Sequence, residues 1–407
     1  MLNPRTQRSN PSHAAVAGLC ASLVGIGLGR FAYTPLIPAL IEARWFAPSQ
    51  VVYLGAANLA GYLAGALLAQ PIAGRMQPAT ALRGMMLLAS AAFFACAAPL
   101  SVPWFFAWRF AAGLAGGVIM VLAAPTILPH ADPKRRGLIG GMIFTGVGLG
   151  IAASGTVVPL LLDRGLVAAW CGLGVLSLLL TLLAWGGWPH AHPHATAASP
   201  PTPATRTTGC IAVWALLLAY GLNAAGLVPH VVFLVDFVAR GLRSGLAAGT
   251  AYWVVFGLGA MAGPLLAGLL ADRAGFRHAL HLAFAIQAAA VALPVFTTGT
   301  AWLIVSIAIA GAFTPGIVPL ALGRVHELLP GDPAAQRLVW RRTTIAWALF
   351  QAVAAYFDSW LFGRTGGNYR LLFALAAGAL LLALVTDLPA GRQSAAAETP
   401  PIRASSA

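Results

Sequence analysis

About twelve apolar stretches, each long enough to cross a bilayer, run through this chain with mostly short polar breaks between them. Roughly 20 consecutive apolar residues make one helical span. Hydrocarbon offers no water to an unpaired amide, so such stretches fold as helices that satisfy their own backbone. Hydrophobic residues make up 59% of the chain and charged residues 8%. That is too little charge to cover a soluble protein of this length. The sequence specifies an all-α integral membrane protein.

The expected spans cover residues 14–41, 50–72, 81–101, 103–127, 137–162, 167–188, 210–237, 246–271, 278–297, 300–325, 338–362 and 369–388. Short connections make neighbouring spans antiparallel. Residues 189–209 differ, because Pro-His-Ala-His-Pro-His followed by Ser-Pro-Pro-Thr-Pro is polar and cannot continue a helix. This cytoplasmic linker divides a six-helix bundle at 1–188 from a second at 210–389, and the polar tail at 390–407 is expected to be disordered. The first apolar block, from Ala14, is too long for a cleavable signal and reads as the first transmembrane helix.

The net charge of +14 does not imply a nucleic-acid partner, because the basic residues sit in short loops and form no stripe. They follow the positive-inside pattern. With the N-terminus in the cytoplasm, the inner segments hold about 16 of the 24 basic residues. These include Arg5, Arg8, Arg75, Arg83, Lys134, Arg135, Arg136, Arg273, Arg277, Arg337, Arg341 and Arg342. Both termini are therefore expected inside, in a multi-pass protein of the cell's inner membrane. Cys20, Cys96, Cys171 and Cys210 lie scattered without metal-ligand spacing and read as small buried hydrophobes. His190, His192 and His194 could hold a metal weakly, but without a second cluster they read as solvated linker. No cofactor is expected.

The halves resemble each other. One constant offset places Gly61 on Gly259, Gly65 on Gly263, Arg75 on Arg273 and Gly113 on Gly311. Duplicated halves suit transporters that rock one bundle against the other around a midplane site. The plainer alternative is that glycine recurs wherever helices approach closely.

The loop Gly268-x-x-x-Asp272-Arg273-x-Gly275-x-Arg277 joins spans 8 and 9 and resembles the signature between the second and third helices of each half in the major facilitator superfamily. The first-half counterpart, Gln70 to Pro78, keeps Arg75 but has Gly74 in place of the aspartate. Span 4 opens with Trp108-Arg109-Phe-Ala-Ala-Gly113, similar to the family's Arg-x-x-x-Gly pattern, and span 5 is glycine-rich from Gly140 to Gly155. The run from Gly25 to Pro38, with Asn58 to Gly65 in span 2, resembles the YbfB/YjiJ-type branch. The resemblance implies two six-helix bundles in the major facilitator fold, with alternating access. An Asp at a helix end can pair with a neighbouring helix terminus in one conformer and release it in another. Asp272, Arg273, Gly268, Gly275, Arg277 and Arg75 are thus the expected conformational latch.

Arg30 falls near the middle of span 1, and Arg109 one to two turns inside span 4. A guanidinium at that depth is costly unless it faces a partner or a wet cavity. Glu42 and Asp163 lie near outer ends, so neither arginine has an acidic partner at its own depth in the first half. The resemblance puts helices 1 and 4 along a central cavity. Two unpaired guanidiniums there would attract an organic anion, Arg gripping a carboxylate bidentately. The alternative is scaffold, each arginine bonding carbonyls freed near glycines and prolines. The site reading is favoured for Arg30 and the scaffold reading for Arg109.

Tyr33, Asn58, Tyr62, Asn223, His230, Trp253 and Gln351 complete the candidate substrate-binding set, each with packing or helix glue as the alternative. Trp347 and Tyr356 could form further cavity walls. His230 titrates near neutral pH, and Asp236 follows it toward the outer face, so these are the proton-coupling candidates. For Asp236 a solvated helix end paired with Arg240 or Arg243 is the favoured alternative. Pro35, Pro38, Pro315 and Pro319 free carbonyls and permit bending.

The expected function is a secondary transporter of a small organic solute, an anion by the arginines, driven by protons and acting as a monomer in the bilayer. Efflux of drugs or metabolites is the runner-up. An enzyme would need a convergent nucleophile, base or metal constellation, which the sequence does not offer. A sensor or scaffold would need a signalling domain, and no nucleotide-binding Gly-x-x-x-x-Gly-Lys-Ser/Thr loop is present.

Overall fold

Each apolar stretch winds into a helix, and the breaks fall where proline removes a donor or a polar side chain supplies a cap. The computed structural model describes residues 11–189 and 203–388. Among the described residues twelve helices are long and apolar enough to span a membrane. They are α1 (Ser12–Ile37), α2 (Pro48–Arg75), α3 (Pro78–Cys96), α4 (Val102–Ile127), α5 (Arg136–Leu162), α6 (Leu166–Ala184), α7 (Ile211–Gly241), α8 (Gly245–Ala274), α9 (Phe276–Phe296), α10 (Thr300–Leu328), α11 (Pro333–Arg364) and α12 (Tyr369–Asp387). Proline opens α2, α3 and α11, where its missing N–H costs nothing. Ser101 caps α4 through the Trp104 amide, and Asn368 caps α12 through Leu371. The helical backbone leading into α7 already begins at Pro203, earlier than the expected 210, again with proline at a helix start. The histidines of the linker and the tail from 390 lie outside the described residues.

Small residues decide how the helices meet. A Cβ on Gly61 would lie 2.0 Å from the Phe110 carbonyl oxygen, and one on Gly259 2.1 Å from that of Ala308. Gly65 and Gly263 stand likewise against Leu114 and Ala312, and Gly113 and Gly311 against Asn58 and Phe256. Donor and acceptor positions in the two halves are related by the same offset that aligns the glycines in sequence. The repeat therefore lies in the α2–α4 and α8–α10 packing, beyond composition alone. α5 and α8 join the halves along their length, Gly141 against Pro264 and Gly148 against Ala260.

Gly263→Ala is expected to destabilise the fold by about 1–3 kcal/mol, since backbone must move to admit the methyl. Gly84, with nothing within 4 Å of its would-be Cβ, should accept alanine and gain a few tenths of a kcal/mol or more. Thermal melting of the two variants checks the order; equal melting would contradict the packing described.

Two helices depart from regular α geometry. α1 carries wide π-helical turns over Leu23–Phe31, and α7 over Pro229–Phe233 and Phe237–Gly241. In α1, Gly27 meets Gly150 of α5, and Gly116 of α4 meets the Gly25 carbonyl. Such turns leave carbonyls in need of other donors, and they recur at functional sites. Large apolar side chains face outward around the belt, Leu183 66%, Leu160 67% and Trp302 56% exposed. That is the surface lipid covers.

Candidate functional site

The wide turns of α1 end at Arg30, where the two halves meet. Arg30 Nη2 donates to Gln351 Oε1 of α11 at 2.5 Å. Its guanidinium also lies 5.7 Å from the Trp347 ring centroid and 5.3 Å from that of Phe31, inside cation–π range. Tyr62 of α2 is within electrostatic reach of Arg30, and Tyr220 of α7 within reach of Tyr62. Tyr220 in turn sits 6.3 Å from Trp340 and 6.4 Å from Trp347. Trp340 Nε1 donates to the Met120 carbonyl of α4 across the halves at 3.2 Å. A cation, an amide and an aromatic wall from α1, α2, α7 and α11 thus converge at one place. Among the described residues no carboxylate pairs with Arg30.

Arg109 does different work. It is 3% exposed, and its Nη1 donates to the Gly29 carbonyl at 3.0 Å while its guanidinium lies 4.2 Å from the Tyr33 ring. Asn58 Nδ2 donates to the same Gly29 oxygen and to the Arg109 carbonyl, both at 3.2 Å. Tyr33 donates to the Val51 carbonyl at 2.8 Å. All these partners belong to the first half. Arg109 and Asn58 brace the carbonyl that precedes Arg30, and so fix the turn that aims it.

The remaining candidates are not gathered at this centre by their bonds. Asn223 donates to Gln287 of α9 at 2.5 Å, joining two helices of the second half. His230 Nε2 bonds Ser306 of α10 at 3.0 Å and its ring meets Phe373 edge-on. Trp253 Nε1 reaches Ser154 of α5 at 3.4 Å. Asp236 takes a bond from Arg240, and Tyr369 donates to it at 2.6 Å. Tyr356 is 73% exposed and walls nothing.

The loop residues make a built contact at the other end of the bundle, on the face that bears Arg75, Arg136, Arg273 and Arg277. Asp272, at the end of α8, accepts from the amides of Gly137 and Leu138 at 2.8 Å each. These are orphan donors of the first turn of α5, whose own N-cap, Arg135, supplies no side-chain acceptor. Gly268 permits the approach, since its Cβ would lie 2.2 Å from the Gly137 carbonyl. Gly275 turns the chain at φ +81 into α9, a conformation strained for any side chain. Arg273 and Arg75 are exposed and Arg277 half-buried. Sequence reading missed Glu327, which accepts from the Phe276 amide at 2.8 Å and pairs with Arg324 at 3.0 Å.

The first half lacks this contact. At Gly74 nothing lies within 4 Å of the would-be Cβ. α11 is capped instead by its own Asp332, which accepts from Ala334 at 3.1 Å and Ala335 at 2.9 Å. A cleft of about 420 Å³ opens there, lined by Gly74, Gln70, Gln77, Thr126, His130 and Arg337 among others. The contact is one-sided.

Known proteins share this fold. Residues 22–388 match a family model described as "Uncharacterised MFS-type transporter YbfB". Among solved structures the chain resembles the proton:xylose symporter XylE, with a TM-score of 0.73 at 14% identity, covering 93% of this chain and 95% of that one. The E. coli fucose:proton symporter FucP gives 0.67 at 14%, covering 92% and 98%. A bacterial homologue of the iron transporter ferroportin, in its outward-facing state, gives 0.66 at 13%, covering 93% and 99%. No curated protein sequence matches the chain.

Proposed function

From the premise that the chain belongs to the YbfB-type family of the major facilitator superfamily, and is therefore a membrane transporter rather than an enzyme, we propose that it carries a small organic anion bound at Arg30. The observation that carries this reading is a guanidinium at the junction of the halves whose bonded partner is a neutral amide, Gln351. An anionic carboxylate is a stronger acceptor than an amide oxygen and can take the guanidinium fork bidentately. It would displace Gln351, and with it a bond between α1 and α11, so binding loosens one link that holds the halves together. Trp347, Tyr62 and Tyr220 supply the apolar wall that such sites need around their few polar groups.

The face bearing the basic loops is cytoplasmic in this reading, by the positive-inside bias. Both termini are then inside, the membrane is the inner membrane, and the monomer is the working unit. Protons are the coupling ion, with His230 and Asp236 as the groups first considered. Both are engaged, His230 with Ser306 and Asp236 with Arg240 and Tyr369. One observation favours a second reading, efflux of cations: the second half holds a buried carboxylate, Asp358 of α11. Uptake of radiolabelled mono- and dicarboxylates into proteoliposomes separates the two. Carboxylate flux lost in Arg30→Ala supports the anion carrier, whereas flux of hydrophobic cations alone overturns it.

A further inference from the structure

Among the buried residues of α11, Trp340, Thr344, Trp347, Gln351 and Asp358 fall on one stripe, with Val339 and Thr343 beside it. Trp340 bonds α4 and Gln351 bonds α1, so the stripe meets the other half at those two positions. Asp358 follows Gln351 by seven residues, two turns on and in line with it, about 10 Å farther along the axis. Ala354, Ala355, Leu361 and Phe362, a turn to either side of Asp358, pack against Val228 and Phe233 of α7 and Leu372 of α12 in the same half. Asp358 is 6% exposed. Among the described residues it has no hydrogen bond and no ion pair.

The groups on the helices packed against α11 are committed elsewhere or distant. On α7, His230 holds Ser306 and Asp236 holds Arg240 and Tyr369 of α12. Tyr220 lies in the ring cluster at Trp340 and Trp347. On α2, Tyr53 is exposed against Phe106, and Tyr62 lies beside Arg30. Arg109 of α4 holds the Gly29 carbonyl. Arg75, Arg324, His326, Glu327 and Asp387 are at the other end of their helices. Arg370 is exposed, and Arg364 of α11 itself stacks over Trp360. An unpaired carboxylate so enclosed cannot keep its charge without partners or water.

We propose that Asp358 is the proton-carrying group of this transporter, neutral while α7 and α12 enclose it and ionised when these helices part from α11 and water reaches it. The proposal rests on the anion-carrier reading and extends it. In the release step the acid O–H bond breaks, the electron pair stays on the carboxylate oxygen, and the proton passes to water. The charge at Arg30, which bonds Gln351 two turns away from Asp358 on α11, favours the ionised form while it is unneutralised. An anion bound at Arg30 cancels that field, so anion and proton each favour the binding of the other. Symport follows from this reciprocity.

Infrared difference spectra of the full-length protein in nanodiscs, wild type minus Asp358→Asn, test the proposal without a known substrate. The expected result is a protonated-carboxyl stretch in the wild type alone, fading as pH is raised between about 5 and 9. Asp358→Glu, which retains the acid, should keep a shifted band if Asn impairs folding. No such band in this range, or one that never titrates, overturns the assignment. The readout depends on Asp358 alone. Failure of the anion reading would show instead as carboxylate binding unaffected in Arg30→Ala.

Discussion

Arg30→Ala is expected to weaken binding of a carboxylate substrate by roughly 30- to 3000-fold, the equivalent of about 2–5 kcal/mol for removing one member of a buried charge pair. The effect is large because the centre offers no second cation. Arg109 turns one donor, Nη1, to the Gly29 carbonyl and its face to Tyr33, away from Gln351. Arg30→Lys should restore little, since an ammonium cannot reproduce the planar fork or its stacking on Trp347. Gln351→Glu gives the complementary result. It places a carboxylate where the amide now stands, pairs Arg30 permanently across the halves, and should block binding while raising the melting temperature. Equilibrium binding of labelled carboxylates to the purified protein reads all three variants. Wild-type affinity in Arg30→Ala would remove the arginine from the site.

The second large effect is expected at Asp272. Its carboxylate holds two amides at the start of α5, and charge-assisted bonds at a helix N-terminus are the strong kind. Asp272→Ala should cost the closed arrangement of this face about 2–4 kcal/mol, shifting the balance of closed to open roughly 30- to 1000-fold. The first half cannot compensate. Its equivalent position is Gly74, and α11 is capped within its own chain segment by Asp332. Spin labels at Thr80→Cys and His278→Cys, both exposed on this face in opposite halves, report the change in a background lacking the four native cysteines. The variant should show a longer, broader distance distribution. Superimposable distributions would mean that the contact does not govern opening.

Much of the fold was legible because a bilayer imposes it. Span lengths, short loops and the proline-rich break at 189 follow from apolar runs and punctuation. The glycine register pointed to a repeat, and the packing shares its offset, with Gly65 and Gly263 bearing on Leu114 and Ala312. The site was less legible. Arg30 meets Gln351 across 321 positions, and Asn223 meets Gln287 across 64. No local pattern encodes such pairs. The wide turns of α1 were hidden because glycines and prolines announce bending without saying where the ladder slips. Asp358 was overlooked because it stands among Tyr356, Phe357 and Trp360 near the end of an apolar span. Its spacing of seven from Gln351 was the available signal. Asp387, buried against His281 at 2.8 Å, was likewise lost among the last residues of the final span.

Thermal melting of the purified wild type and Arg30→Ala against carboxylates, sugars, amino acids and hydrophobic cations tests the central claim most directly. A ligand bound only by the folded state stabilises it by mass action, about 2.7 kcal/mol at a hundred times Kd. The expected result is a rise in melting temperature with one or more carboxylates, absent in Arg30→Ala. Stabilisation by hydrophobic cations alone, or by carboxylates equally in both proteins, would contradict it.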